Sequence, residues 1–190
     1  MFSKVFLWIM SFFTTDQPDP QPNPNPTPDK MDNDSLKLTK NFHIKEFERS
    51  VLAAANDINN TAPDHVVSRL KVLCEEVLQP AHDLIGDIVG HDSYYIRITS
   101  GYRSEKLNGL VGGSSTSFHR YGAADCELYI KRAENNTLLY EIIKARGVFT
   151  ELIWEYVEDG ALDHPEDMPK WVHVAYDSSQ PDRQELKYIH

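Results

Sequence analysis

Ser117-Phe118-His119-Arg120-Tyr121-Gly122-Ala123-Ala124-Asp125-Cys126-Glu127-Leu128-Tyr129-Ile130 runs from a loop into a strand. The first residues, with serine, arginine and glycine and no apolar repeat, read as a loop, and Ala124 to Ile130 reads as a strand. His119 therefore lies in the approach and Asp125 at the strand's start. Before this stretch the chain reads mainly as helix, and after it mainly as strand.

Upstream, Asn41 to Phe47 leads into a helix predicted over 49–55, with Phe47, Val51, Leu52 and Ala55 at helical spacing. A second helix opens at Pro63, which a first turn tolerates, and carries Val66, Val67, Leu70, Leu73 and Val77. It is expected to end near Gln79-Pro80, or to kink there and continue to Leu84. Tyr94 to Thr99 is a β-branched and aromatic strand, broken by Ser100-Gly101-Tyr102-Arg103, and Val111 to Ser115 is a flexible loop. Downstream, an amphipathic helix over 137–146 buries Leu138, Leu139, Ile142 and Ile143. Two strands follow, Leu152 to Tyr156 and Trp171 to Tyr176. Helices early and strands late predict an α+β layer, a small antiparallel sheet packed against helices, rather than a doubly wound parallel sheet.

The chain has 190 residues, 41% of them apolar, enough for one domain with a real core. Its 19 basic and 29 acidic side chains give a net charge of −10, so binding to a phosphate backbone by counterion release is disfavoured. Two cysteines, Cys74 and Cys126, exclude a disulfide scaffold. Residues 4–13 form an apolar run behind one positive charge, about half the length of a spanning helix. The run has the proportions of a secretory signal, but Thr14-Thr15-Asp16 offers no small-x-small cleavage site. An export signal, an uncleaved short anchor and a sticky tail all remain open. Export or anchoring is preferred, with membrane contact through residues 2–13. Proline at every second position from Pro18 to Pro28 precludes helix and central strand, leaving an extended spacer. The expected organisation is a signal or anchor over 1–15, a proline-rich linker over 16–37 and a folded domain over 38–190.

No phosphate-cradling glycine loop, CxxC pair or HExxH occurs. His119, Asp125 and His173, all near the ends of predicted strands, would supply the three imidazole and carboxylate ligands of a catalytic zinc, with a fourth position open. Each also has a plainer explanation: a core histidine for His173, a loop residue for His119, a turn carboxylate for Asp125.

Several separated motifs narrow the choice. Ser100-Gly101-Tyr102-Arg103-Ser104, Asn108, Gly112-Gly113-Ser114, Ser117-x-His119-x-x-Gly122, Ala124-Asp125 and Trp171-Val172-His173-Val174 occur in this order. Together they resemble the zinc D-Ala-D-Ala carboxypeptidase family, which includes the vancomycin-resistance dipeptidases and many phage L-alanyl-D-glutamate endolysins. The similarity runs from about Phe42 to Tyr176. It implies a hedgehog-like α+β fold, one zinc ion, and hydrolysis of amide bonds in peptidoglycan stem peptides. The product would be exported, tethered at the cell envelope, or released as a phage lysis or virion protein, and is expected to be a monomer.

Carried over by position, His119 and His173 match the family's histidines. The family pattern S-x-H-x-x-G-x-A-x-D sets its aspartate one residue beyond Asp125, where this chain has Cys126. Asp125 is preferred, because a thiolate would make a softer site and because Ala123-Ala124-Asp125 fits the pattern with one residue deleted. Arg103 matches the arginine implied to hold a substrate carboxylate or the oxyanion, a role suited to a fixed guanidinium; a surface ion pair is the alternative. Ser117, Tyr102 and Trp171 are expected to contact substrate. Many relatives carry an acid three residues before the last histidine, where this chain has Lys170. The base is therefore expected to be Glu155, at the end of Leu152-Ile153-Trp154, with Glu151, Glu166 and Asp167 in reserve. Cys126 as a nucleophile lacks an orienting partner in sequence. Lys170 and the shortened interval from His119 to Asp125 also suit a rival reading, a catalytically degenerate domain that binds wall peptides or builds a virion.

Overall fold

Leu70, Leu73, Val77 and Ile85 fall on the buried stripe of one long helical run, described in a computed structural model that covers residues 36–155, 168–180 and 183–189. The expected signal and most of the expected linker lie outside the described residues, as do Tyr156, Glu166 and Asp167. Two short helices come first, α1 (Ile44–Glu48) and α2 (Val51–Ala55). The single helix predicted over 49–55 thus starts later and is preceded by a separate turn of helix. Arg49 and Ser50 are extended, and the Ser50 hydroxyl caps α2 by accepting from Ala53 N–H.

The long run comprises α3 (Asp64–Leu73), a π-helical turn (Cys74–Leu78) and α4 (Gln79–Val89). It does not end at Gln79-Pro80. Proline has no N–H for the carbonyl four residues back, that of Glu76. In the π turn Gln79 N–H reaches back to Cys74, and the Arg146 guanidinium donates to the Glu76 carbonyl at 3.3 Å. The helix therefore passes through the proline and ends at Gly90.

The strands are β1 (Tyr94–Ser100), β2 (Ala123–Ile130), β3 (Ala133–Glu134), β4 (Glu151–Glu155), β5 (Trp171–Ala175) and β6 (Glu185–Ile189). Helix α5 (Glu105–Leu110) lies between β1 and β2, and α6 (Asn136–Arg146) between β3 and β4. The sheet order is β1-β2-β5-β4-β6, with β3 hairpinned onto β2. All pairs are antiparallel except β4 with β6, which corrects the expectation of a purely antiparallel sheet. The cause lies in the link after β5. Asp177 N–H donates to Thr150 Oγ1 at 2.7 Å and Glu185 N–H to the Thr150 carbonyl at 3.0 Å. The chain thus returns to the start of β4 before β6 begins, and β6 runs beside β4 in the same direction.

Alternation assigns the faces. Ala124, Cys126 and Leu128 of β2, Val172 and Val174 of β5, and Leu152 of β4 are fully buried and form the core with Leu139, Tyr140 and Ile143 of α6. Each such leucine stabilises the fold by about 1.5–3 kcal/mol, as apolar surface leaves water. The opposite face carries Asp125, His173, Glu151 and Glu155. Among the described residues no helix is long and apolar enough to cross a membrane.

Candidate metal centre

Asp125 and His173 are direct cross-strand partners, so their side chains emerge side by side on the open face of the sheet. His119 arrives from a single 3-10 turn, Phe118–Arg120, capped by the Ser117 hydroxyl. The three side chains are buried, and one ligand atom from each lies within 4.8 Å of the others. His119 Nε2 stands 3.1 Å and His173 Nδ1 2.8 Å from the same oxygen, Asp125 Oδ1. The two rings sit edge to face, centroids 4.9 Å apart.

Local structure fixes this aim. His119 Nδ1 lies 2.6 Å from the Gly101 carbonyl, so Nδ1 carries the proton and Nε2 is left to face Asp125. A side chain at Gly101 would put its Cβ 2.5 Å from Phe47 Cα, which explains glycine where the strand end crosses α1. Arg103 N–H donates to the His119 carbonyl at 2.9 Å. Buried Asn60 binds the same turn, donating to the Tyr102 carbonyl and accepting from Ser104 N–H. The Arg103 guanidinium donates to Asp125 Oδ2 at 3.1 Å and to Ser100 Oγ. The ion pair that Arg103 makes is therefore with Asp125.

Charge follows from the packing. Burial pushes the Asp125 carboxyl up, but His119 and His173 outweigh it and hold the group well below the usual carboxylate range. Burial pushes His173 down, yet contacts with Asp125 and Glu151 raise it to about 9. Glu151 Oε1 lies 3.5 Å from His173 Nε2, a charge pair rather than a formed hydrogen bond, and Lys187 of β6 grips the same carboxylate. His173, and after it Lys187, pull Glu151 down to about 2 against its burial. Glu155 is raised, first by burial and then by the nearby charge of Asp125. Its Oε2 accepts from Trp171 Nε1–H at 2.6 Å.

One cleft of about 560 Å³ is lined by His119, Asp125, His173, Arg103, Ser117, Glu155 and Trp171, with Glu151 at its wall. Tyr102 is the exception among the sequence candidates. It lines a neighbouring cleft. Cys126 lies on the other face of β2, fully buried and beside Cys74, its thiol pushed up by burial. Glu151, held by His173 and Lys187, is already engaged and is not placed as a free base. Arg183, Lys187 and Ile189 also line the cleft and went unread in the sequence. The alternation Glu185-Leu186-Lys187-Tyr188-Ile189 is the signal that would have found Lys187 and Ile189, and none points to Arg183.

Two imidazole nitrogens and a carboxylate oxygen converging in a buried, open-sided site fit a zinc ion with a position left over. A family model described as Peptidase M15 matches residues 40–157. The chain belongs to the peptidase M15 family. The match takes in His119 and Asp125 and ends before His173. As an M15 peptidase the chain is a metallopeptidase with a peptide substrate, and the family's dependence on zinc agrees with the His119-Asp125-His173 cluster. No curated protein matches the chain.

Proposed function

We propose that this M15 peptidase uses one zinc ion to hydrolyse amide bonds in the stem peptides of peptidoglycan, as a carboxypeptidase or an endopeptidase. The observation that carries the reading is the convergence of His119 Nε2, Asp125 Oδ1 and His173 Nδ1, with Glu155 and Arg103 lining the same cleft. His119, Asp125 and His173 would hold the ion. When bound, zinc supplies Lewis acidity that polarises the amide carbonyl and makes water a stronger nucleophile.

Glu155 takes the proton from the attacking water and returns it to the leaving amine. Its raised affinity for protons suits that exchange, since a base works best with a pKa near the working pH. The Trp171 indole N–H holds one carboxylate oxygen of Glu155 within the cleft that both residues line. Arg103 stabilises negative charge developing on the carbonyl oxygen, and Ser117 contacts the peptide. The apolar run before the proline-rich spacer supports a protein exported to, or tethered at, the envelope, acting there as a monomer of hedgehog-like fold.

Metal analysis of the purified full chain, followed by incubation with purified peptidoglycan and counting of new amino termini, tests the reading. Stoichiometric zinc, new termini, and their loss by about 10²–10⁴-fold in Glu155→Gln with zinc retained are expected. Bound zinc without new termini would refute the catalytic reading.

A further inference from the structure

A second cleft, of about 610 Å³, opens beside the first and shares Arg103 with it. Three arginines line it, Arg49, Arg97 and Arg103, and among the described residues no aspartate or glutamate does. That is a local reversal in a chain whose acids outnumber its bases by 29 to 19. The wall of the metal cleft, by contrast, carries Asp125, Glu151 and Glu155.

The three cations are not equally committed. Arg97 reaches across the strands to Glu127 and to Tyr129 Oη. Arg103 is tied to Asp125, a carboxylate already held by two histidines. The exposed Arg49 guanidinium has no hydrogen-bond or ion-pair partner among the described residues, and it stands at the extended break between α1 and α2. The Ser50 and Ser100 hydroxyls, which accept from Ala53 N–H and from the Arg103 guanidinium, add O–H donors to the lining, whereas the Thr99 hydroxyl is spent on the Asp125 carbonyl. Val51 and Val111, 79% and 44% exposed, give it an apolar edge. Such a lining fits a carboxylate carried on a short apolar or peptide stem, because guanidinium forks match carboxylate geometry and the apolar edge covers the stem.

We infer that this second cleft is a carboxylate-binding subsite of the same active site, selecting peptides with a free acidic group beyond the segment that lies in the metal cleft. The inference rests on the peptidase reading for its substrate class, and on the three-arginine, acid-free lining for its site. Arg49 supplies the uncommitted charge, and Arg103 joins the two clefts.

NMR titration of the full chain with N-acetyl-glutamate α-amide and N-acetyl-glutamine α-amide tests it, since these isosteres differ in one charge. The glutamate probe is expected to bind about tenfold more tightly, near the lower end for a charge-assisted contact at an exposed arginine. The preference should shrink with added salt and collapse in Arg49→Gln, a surface change that leaves the core intact. Equal affinities, or a preference untouched by Arg49→Gln, would overturn the subsite. Should that happen while new amino termini still appear from peptidoglycan, the subsite fails and the peptidase reading stands. Arg49-dependent preference in a chain that releases no termini would support the subsite and count against the peptidase reading.

Discussion

In the proposed metal centre zinc would compete with a proton for His173, and the competition is large enough to measure. In the metal-free protein His173 is raised to about 9 because Asp125 and Glu151 flank its imidazole. A metal takes the imidazole as a neutral base, so below that pH each binding event must expel one proton from His173. At pH 7, two units lower, the penalty is roughly 2.7 kcal/mol, or about 100-fold in affinity. Asp125 is held ionised throughout this range and adds no slope. Apparent zinc affinity should therefore rise about tenfold per pH unit, or about 100-fold from pH 6 to pH 8, and flatten above pH 9. Competition against a chromophoric chelator measures the slope. Calorimetry in two buffers of different ionisation enthalpy counts the protons released. An affinity that stays level between pH 6 and 8, with no proton release, would show that His173 is neutral before metal arrives and would refute the reasoning.

Stability of the metal-free chain should follow the same groups. A raised histidine stabilises below its unfolded pKa and stops doing so as pH climbs through the folded one, so roughly 3 kcal/mol should disappear between about pH 6.5 and pH 9.5. Glu151 and Asp125, both depressed, withdraw their stabilisation only as the medium turns acid, for Glu151 through about pH 2. Thermal melts across pH check both limbs, and a metal-free melting temperature unchanged up to pH 9.5 would contradict the first. Replacing the two adjacent candidate ligands separates them: Asp125→Ala should abolish stoichiometric zinc, whereas Cys126→Ala should retain it and cost about 1 kcal/mol of core packing. Zinc analysis and a denaturant titration read the two effects, and metal lost only with Cys126 would reverse the assignment. Above pH 9, where no proton competes for His173, Glu151→Gln should weaken zinc binding about 10–100-fold by loosening the ring, and below pH 9 the pH slope of affinity should start from a lower pKa. A dissociation constant unchanged above pH 9 would reduce Glu151 to a partner of Lys187 with no hold on the ligand ring.

What the sequence disclosed depended on whether local period and tertiary contact agreed. The strand from Ala124 to Ile130 and the helix over 137–146 lie within one residue of β2 and α6, because their apolar spacing is also their burial pattern. The break at Arg49-Ser50 was hidden because Phe47 and Val51 stand one helical turn apart, so the apolar spacing runs through it. What decides the break is the Ser50 cap and contacts from Asn60 to the Glu48 carbonyl and Ala62 to the Glu48 side chain, more than ten residues away. The end expected near Gln79-Pro80 gives way to the alternative of continuation, carried past Leu84 to Val89, since Arg146 answers the unpaired carbonyl of Glu76. In the site, the imidazole and carboxylate types suggested a metal before any distance was known. The hold of Lys187 on Glu151, which faces His173, pairs β4 with an edge strand, and no spacing rule announces it.

The register between His119 and β2 shows how a one-residue departure from the family pattern is accommodated. Were Cys126 to occupy the metal face, β2 would have to slip by one residue. Alternation would then carry Ala124 and Leu128 out of the core and Asp125 into it. The strand cannot absorb the change, because its apolar residues face α6 and its neighbours β1 and β5 fix its pairing. The turn can. Tyr121 and Gly122 both bond back to the Phe118 carbonyl, and Gly122 takes a φ of +156° that a side chain rarely adopts, closing the loop one residue early. Asp125 thereby keeps its place opposite His173, and the shortened interval is a property of the turn rather than of the ligand set.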